Sequence, residues 1–411
     1  MYEQSLNTLR SRFFQQGSWM VGGGMLKKGV AFAANLALVR LLAPESFGEF
    51  AIVQANVSLV GAFFNFRTSS LLLQAPAEEL RPRALSRYTG ALIAETVLVG
   101  GGALAALGIF GVLNGKALLF LLASLAGSWV GAQRSIYERT FEYKKLSILE
   151  TSAGATSNAL AVAAALLGAG SVVLYARSAV SQAIVAVGIR RLGGWRRLPM
   201  RWLTLEDWTH VLRRFKGFWA DGMLVRLFDR ATVLLVGAIA GNRMTGFFFQ
   251  ARKFAFIPDQ VLGPLTNRVA LNHFKDYTTP NKRYANLRKI LLFLSVFLIP
   301  AAGLTLLLTD PVIPWILGAE WNPVVPILKA MTGVIVGMPL LSLMQAYFMS
   351  MNRMRLFILI GRGGQFLALA LFATVAYYLK TDTGIWLGGG FSAAFLIGLI
   401  ISLAIATCEQ R

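Results

Sequence analysis

Apolar residues run in blocks of membrane-spanning length, and the blocks recur down the whole chain. They cover residues 18–40, 47–73, 89–112, 117–133, 151–167, 171–189, 217–240, 244–271, 290–308, 324–350, 357–379 and 384–406. Each block has the minimum of about 17 residues that a helix needs to cross a hydrocarbon core. The pattern predicts an all-α, polytopic membrane protein of about 12 transmembrane helices. The longest polar connection, 190–216, falls between the sixth and seventh blocks. It predicts two six-helix lobes: an N-lobe over 18–189 and a C-lobe over 217–407, joined by a cytoplasmic linker at 190–216. The first residues, MYEQSLNTLRSRFFQQG, are too polar for the apolar region of a signal peptide. Segment 1–17 is therefore expected to be an amphipathic cytoplasmic helix on the headgroups.

Composition agrees with this reading. Of 411 residues, 56% are hydrophobic and 14% charged, and mean hydropathy is +0.59. Soluble domains carry about 25% charged residues. The net charge of +21 bears on topology before it bears on nucleic acid. With the N-terminus inside, basic residues crowd the inner connections, as at Arg81, Arg83 and Arg87, at Arg134 to Lys145, and at Arg190 to Lys216. The outer turns hold little beyond Arg40, Lys116, Arg243 and Lys380. The positive-inside rule then puts both termini in the cytoplasm, in a multi-pass arrangement expected for a bacterial inner membrane. Segment 309–323, rich in Pro and Trp, is expected to form a re-entrant or interfacial hairpin on the outer side.

Cys408 is the single cysteine, and His210 and His273 are the only histidines. Metal-ligand spacing, phosphate loops and nucleophile motifs are all missing, so neither a metal, a cofactor nor an enzyme active site is expected. The glycine runs at 22–24, 100–102 and 388–390 suit close helix packing.

The stretch 217–274 is the most informative. Two apolar runs meet at an Ala-Gly-Asn-Arg turn and carry Arg226, Asp229, Arg230, Arg252, Lys253 and Asp259 inside them. A charge at the centre of a membrane helix costs about 2.5 to 3.5 kcal/mol on insertion scales, so these residues are expected to serve function or pairing. The two halves also echo each other: Trp19 followed by Gly48 in Phe-Gly-Glu-Phe matches Trp219 followed by Gly246 in Thr-Gly-Phe-Phe. The offset is about 200 residues, as parallel transporter repeats would give.

These residues carry a resemblance. A Gly-rich first run, then Leu41-Leu42-Ala43-Pro44-Glu45-Ser46-Phe47-Gly48, with Phe228-Asp229-Arg230, Thr245-Gly246-Phe247-Phe248 and Pro258, resembles the polysaccharide (Wzx-type) flippases. These belong to the multidrug/oligosaccharidyl-lipid/polysaccharide exporter superfamily. The resemblance implies two six-helix lobes around a cationic cavity. It also implies alternating access that moves an undecaprenyl-pyrophosphate-linked oligosaccharide across the inner membrane for exopolysaccharide, capsule or O-antigen biosynthesis. Polysaccharide polymerase and export machinery are partners implied by the same resemblance, along with membrane lipids, and nucleic acid is not. A cation-coupled multidrug exporter of the same superfamily is the nearest alternative, but cationic drugs call for an acidic cavity. A membrane polysaccharide polymerase is a further one, and it would need larger outer loops.

The candidate substrate-binding residues are Lys27, Lys28, Arg67, Arg226, Arg230, Arg252 and Lys253. Lys27 and Lys28 are about 100° apart on the helix, so they cannot share one lipid-facing stripe, although both could reach the cytoplasmic headgroups. Arg226, Asp229 and Arg230 fall at i, i+3 and i+4 on one face, serving either an anionic ligand or an ion-pair cluster. Pro258, Gly263 and Pro264 interrupt the eighth run, as a transporter hinge or a plain kink. Glu95, Asp229 and Asp259 are the candidate coupling-ion carriers, with inter-helix hydrogen bonding as the simpler role.

Overall fold

The computed structural model describes residues 2–76, 81–140, 142–264, 274, 279–351, 353–380 and 382–408, and among them every regular element is helical. The side chains of Trp19, Trp219, His210, Pro264 and segment 1–17, and all of His273, lie outside the described set. In chain order the helices are α1 (Tyr2–Leu41), α2 (Pro44–Phe64), α3 (Thr68–Gln74), α4 (Pro82–Ile109), α5 (Gly115–Glu138), α6 (Tyr143–Leu166), α7 (Val172–Arg191), α8 (Leu205–Ala255) and α9 (Ile257–Pro264). There follow α10 (Pro280–Leu317), α11 (Val324–Ala330), α12 (Thr332–Ser350), α13 (Met354–Leu379) and α14 (Thr383–Cys408). Among the described residues 8 helices are long and apolar enough to cross a membrane: α2, α4, α5, α7, α10, α12, α13 and α14.

Two corrections concern continuity. The run 47–73 is not one helix, because α2 stops at Phe64 and α3 starts at Thr68. Asn65, Phe66 and Arg67 form the break, with Arg67 left-handed at φ 50° and its N–H donated to Asn65 Oδ1 at 2.8 Å. Nor is 309–323 a hairpin. Helix α10 continues through Pro311 and Pro314 to Leu317 and turns only at Gly318, where φ is 101°. Each proline removes one backbone donor, but in an apolar medium helix remains the way to satisfy the other backbone groups.

The chain packs as two units, one of Met1–Ala43 with Val53–Arg226, the other of Pro44–Ile52 with Leu227–Arg411. In the first unit α1 lies along α6, and small residues let them approach. Gly23 faces Ser147, its carbonyl accepts from Thr151 Oγ1 at 3.2 Å, and Gly154 seats the Lys27 stem. Leu72, Leu92, Ala132, Ile136 and Val211 form a buried core from α3, α4, α5 and α8. The polar connection 192–204 is docked on this unit as a strap. Gln133 on α5 donates Nε2 to the Arg196 carbonyl at 2.8 Å and accepts from the Arg196 N–H at 3.0 Å. Gly90 and Gly194 give it room against Arg201 and Tyr137, and Arg87 on α4 pairs with Asp207 at 2.8 Å.

In the second unit α14 packs between α12 and α13. Phe228, Phe256 and Phe395 surround the fully buried Phe391, with ring centroids 5.2 to 5.9 Å from it. Helix α8 folds back at Gly241, where φ is 75°, so the expected Ala-Gly-Asn-Arg turn is a real reversal. Pro44–Ile52, the first turns of α2, join this unit through two glycines. A Cβ on Gly48 would come within 2.6 Å of the Asn242 carbonyl carbon, and one on Gly246 within 2.8 Å of the Pro44 carbonyl carbon. These are the two glycines whose flanking residues echo each other in the sequence, and they sit at a single backbone crossing.

Candidate functional site

The break between α2 and α3 shapes a polar cavity in the first unit. Its volume is about 490 Å³, and its walls come from the junction itself and from α3, α4, α5, α7 and α8. Arg67 enters from the left-handed position that caps α3, where its carbonyl accepts from the Ser70 and Leu71 N–H groups. Arg226 enters from α8 and Glu95 from α4. Glu95 is 3% exposed, and Thr68 donates its hydroxyl to Glu95 Oε2 at 3.3 Å. Asn65, Ser69, Ser70, Ser124, Ser128, Ser178 and Gln182 complete a lining of short hydroxyl and amide groups. Two guanidinium groups face one carboxylate, so with Glu95 ionised the lining carries one net positive charge. Arginine forks and hydroxyls together suit a ligand bearing phosphate oxygens and sugar hydroxyls.

The lysines lie elsewhere in that unit. Lys27 lines a separate cavity of about 180 Å³ with Arg134, Glu138, Tyr143 and Glu150. Lys27 pairs with Glu150 at 3.5 Å, and Arg134 bridges Glu150 and Glu138 at 2.8 and 2.9 Å. Lys28 is exposed. Glu150, Arg134 and Glu138 had no standing in the sequence as a group, since Lys27 and Glu150 are joined only by the packing of α1 on α6.

The Arg226, Asp229, Arg230 triplet does not act as one cluster. Arg226 lines the cavity of the first unit, whereas in the second unit Asp229 pairs with Arg252 at 2.5 Å and with Arg230 at 3.4 Å. Arg252 also donates to the Asp229 backbone carbonyl at 3.1 Å and lies over the Phe256 ring at 5.5 Å. It is 7% exposed, so most of its charge is met by Asp229 and by ring faces. Lys253 sits over Phe249 at 4.3 Å and over Phe47 at 5.7 Å.

Helix α8 ends at Ala255, Phe256 turns, and α9 restarts at Ile257 with Pro258 in its first turn. The chain is thus broken beside Pro258, and Asp259 lies 3.5 Å from Ser342 Oγ on α12. Gly263 packs on the Asp259 carboxyl, and Pro264 ends the described part of α9. The Ser and Gln lining of the main cavity was missed in the sequence. Its trace there is the Thr68-Ser69-Ser70 triplet and single serines inside apolar runs.

Comparison with known proteins supplies the lineage. The profile of the family described as "Polysaccharide biosynthesis protein" matches residues 37–326, which hold Arg67, Glu95, Arg226, Asp229 and Arg252. The lipopolysaccharide biosynthesis protein WzxC of Escherichia coli (strain K12) is 22% identical over 350 residues, covering 82% of this chain and 71% of WzxC. The structure is similar to the lipid II flippase MurJ in an inward closed conformation. There the TM-score is 0.70 and identity 13%, over 94% of this chain and 87% of that one. It is similar as well to an inward-facing multidrug resistance MATE family transporter of the MOP superfamily, with TM-score 0.66 and identity 13% over 94% and 99%. The chain therefore belongs to the polysaccharide biosynthesis protein family, on the all-helical membrane fold of that transporter superfamily that the sequence resemblance implied.

Proposed function

We propose that this chain is a flippase for a lipid-linked oligosaccharide whose linkage is a pyrophosphate on a polyprenyl such as undecaprenyl. The observation that carries the reading is the Arg67, Glu95 and Arg226 cavity, because two arginines against one carboxylate, among serines and amides inside apolar helices, leave a positive remainder that an anionic sugar ligand would meet. The phosphates are held by the arginine forks and the first sugars by the hydroxyl lining, while the lipid tail stays in the bilayer. Alternating access between the two leaflets delivers the headgroup outward. The break beside Pro258 serves as a bending point, and Glu95, Asp229 and Asp259 are the candidates for a coupled ion. Both termini face the cytoplasm, in keeping with the basic residues of the inner connections. Excess positive charge in this cavity disfavours the cationic-drug alternative.

The test is flipping of a pyrophosphate-linked oligosaccharide lipid by the protein in liposomes. Charged hydrogen bonds are worth about 1.5 to 3 kcal/mol each, so Arg226→Gln is expected to slow flipping roughly 10- to 100-fold. Arg226→Lys is expected to keep part of the rate, and Ser124→Ala most of it. A wild-type rate in Arg67→Gln with Arg226→Gln would remove the cavity from the transport route.

A further inference from the structure

We propose that the strap 192–204, with the residues flanking it, is a pre-organised binding surface for the anionic lipid headgroups of the leaflet beside it. Three observations converge on this. Residues 190–205 hold Arg190, Arg191, Arg196, Arg197 and Arg201, all exposed, and no acidic residue. On either side of Arg201 stand Met200 at 77% exposure and Trp202 at 69%, large apolar groups that water does not favour but a headgroup layer does. And the strap is pinned to the ends of membrane helices: it leaves the last turn of α7 at Arg191 and is clamped by Gln133 near the end of α5. It also lies over Gly90, near the start of α4.

The clamp gives the surface its shape. Gln133 fixes the Arg196 backbone through both its N–H and its carbonyl, so the Arg196 and Arg197 side chains project from an already ordered segment. A free loop would lose that conformational entropy on meeting the bilayer, and the clamped one has already lost it. Two acids follow the strap: Asp207 is buried and bound to Arg87 at 2.8 Å and to Arg201 at 3.9 Å, which leaves Glu206 as the exposed one against the five arginines. A soluble acidic protein would find the same charge, but the strap is held at the ends of α5 and α7 and over the start of α4, where the headgroups of a leaflet already lie, which is why the lipid surface is the better fit.

The experiment uses the full-length chain with Cys408→Ser and Met200→Cys, labelled with a small environment-sensitive fluorophore. The labelled protein is placed in phosphatidylcholine nanodiscs with rising fractions of phosphatidylglycerol, and quenching by spin-labelled lipids reports seating of the strap. Seating is expected to rise with phosphatidylglycerol and to fall as salt is added. Each arginine at an anionic leaflet is worth about fivefold in partitioning, so Arg196→Gln with Arg197→Gln lowers the ratio of seated to free strap roughly 25-fold. Gln133→Leu, which keeps every charge and cuts the clamp, needs more phosphatidylglycerol for the same seating. Quenching that ignores lipid charge in the wild type overturns the proposal, as does a wild-type response in the double glutamine variant. If Gln133→Leu matches the wild type, pre-organisation is refuted.

Discussion

Replacing Gly246 with alanine tests the close crossing of α2 and α8 where the structure is least forgiving. The new Cβ would lie within 2.8 Å of the Pro44 carbonyl carbon, nearer still to its oxygen, and 3.3 Å from the Gly48 N. All three are backbone atoms, so no rotamer change relieves them, and the helices must separate. Overpacking costs about 1 to 3 kcal/mol where side chains can adjust, and the upper end applies here. With each kcal/mol worth a few degrees, the apparent melting temperature in detergent is expected to fall roughly 5 to 10 °C. Gly48→Ala meets the Asn242 carbonyl at the same crossing and is expected to cost a similar amount. Once one substitution has pushed the helices apart, the second adds little, so the double variant falls well short of the sum. Gly61→Ala, in α2 with nothing within 4 Å of the new Cβ, is the control and gains up to about 1 kcal/mol of helix propensity. Unchanged melting in Gly246→Ala, or strict additivity in the pair, would refute the reasoning.

Asp229→Asn leaves Arg252 buried without its carboxylate and is expected to cost about 3 to 5 kcal/mol, much of it recovered by adding Arg252→Gln; thermal unfolding of the single and double variants measures this. Pro258→Ala restores a backbone donor beside the break and is expected to slow flipping while leaving expression intact, so a wild-type rate counts against the bending point. Burial pushes Asp207 upward, but the Thr204 hydrogen bonds with Arg87 and Arg201 outweigh it and hold the folded carboxyl below its ordinary 3.8. The stability it lends is full above that ordinary value and is lost as pH falls through the lower folded one. Anisotropy of a probe at Met200→Cys is therefore expected to stay flat down to about pH 4 and to drop below it, and a midpoint near pH 6 contradicts the pairing. Cysteines at Ala319 and Arg196 are expected to react from opposite sides of the membrane, and labelling from one side only overturns the orientation.

The apolar runs made the helices legible because length and hydropathy act locally, and the reversal at Gly241 and the break beside Pro258 were legible because Gly and Pro act on their own backbone. The break at Asn65 to Arg67 was not, since Asn-Phe-Arg carries neither residue and its left-handed arginine depends on tertiary surroundings. Arg67 and Arg226 stood out in the sequence as candidate anion ligands and Glu95 as a candidate ion carrier, but neither their meeting in one cavity nor its hydroxyls could be read there. A lone serine in an apolar run reads the same whether it faces lipid, a neighbouring helix or a cavity. Within the Arg226, Asp229 and Arg230 triplet the pairing of one arginine with Asp229 was legible, but the separate surroundings of Arg226 were not. Helical spacing shows which residues share a face but not where along the helix the packing partner changes, and here that point is Arg226 to Leu227.

The meeting of Gly48 with the Asn242 to Gly246 turn imposes an order on synthesis. Pro44–Ile52 leaves the ribosome early, yet the unit it packs in is completed by residues from Leu227 onward. At about 5 to 20 residues per second, the roughly 200 intervening residues take on the order of 10 to 40 s to make, and through that interval this turn has no partner to bury it. Splitting the gene within the polar connection would likewise give two fragments of which the second lacks one of its own pieces. The unit that Pro44–Ile52 packs in is thus drawn from both sides of the polar connection, and that connection is not a seam at which the chain can be cut into its units.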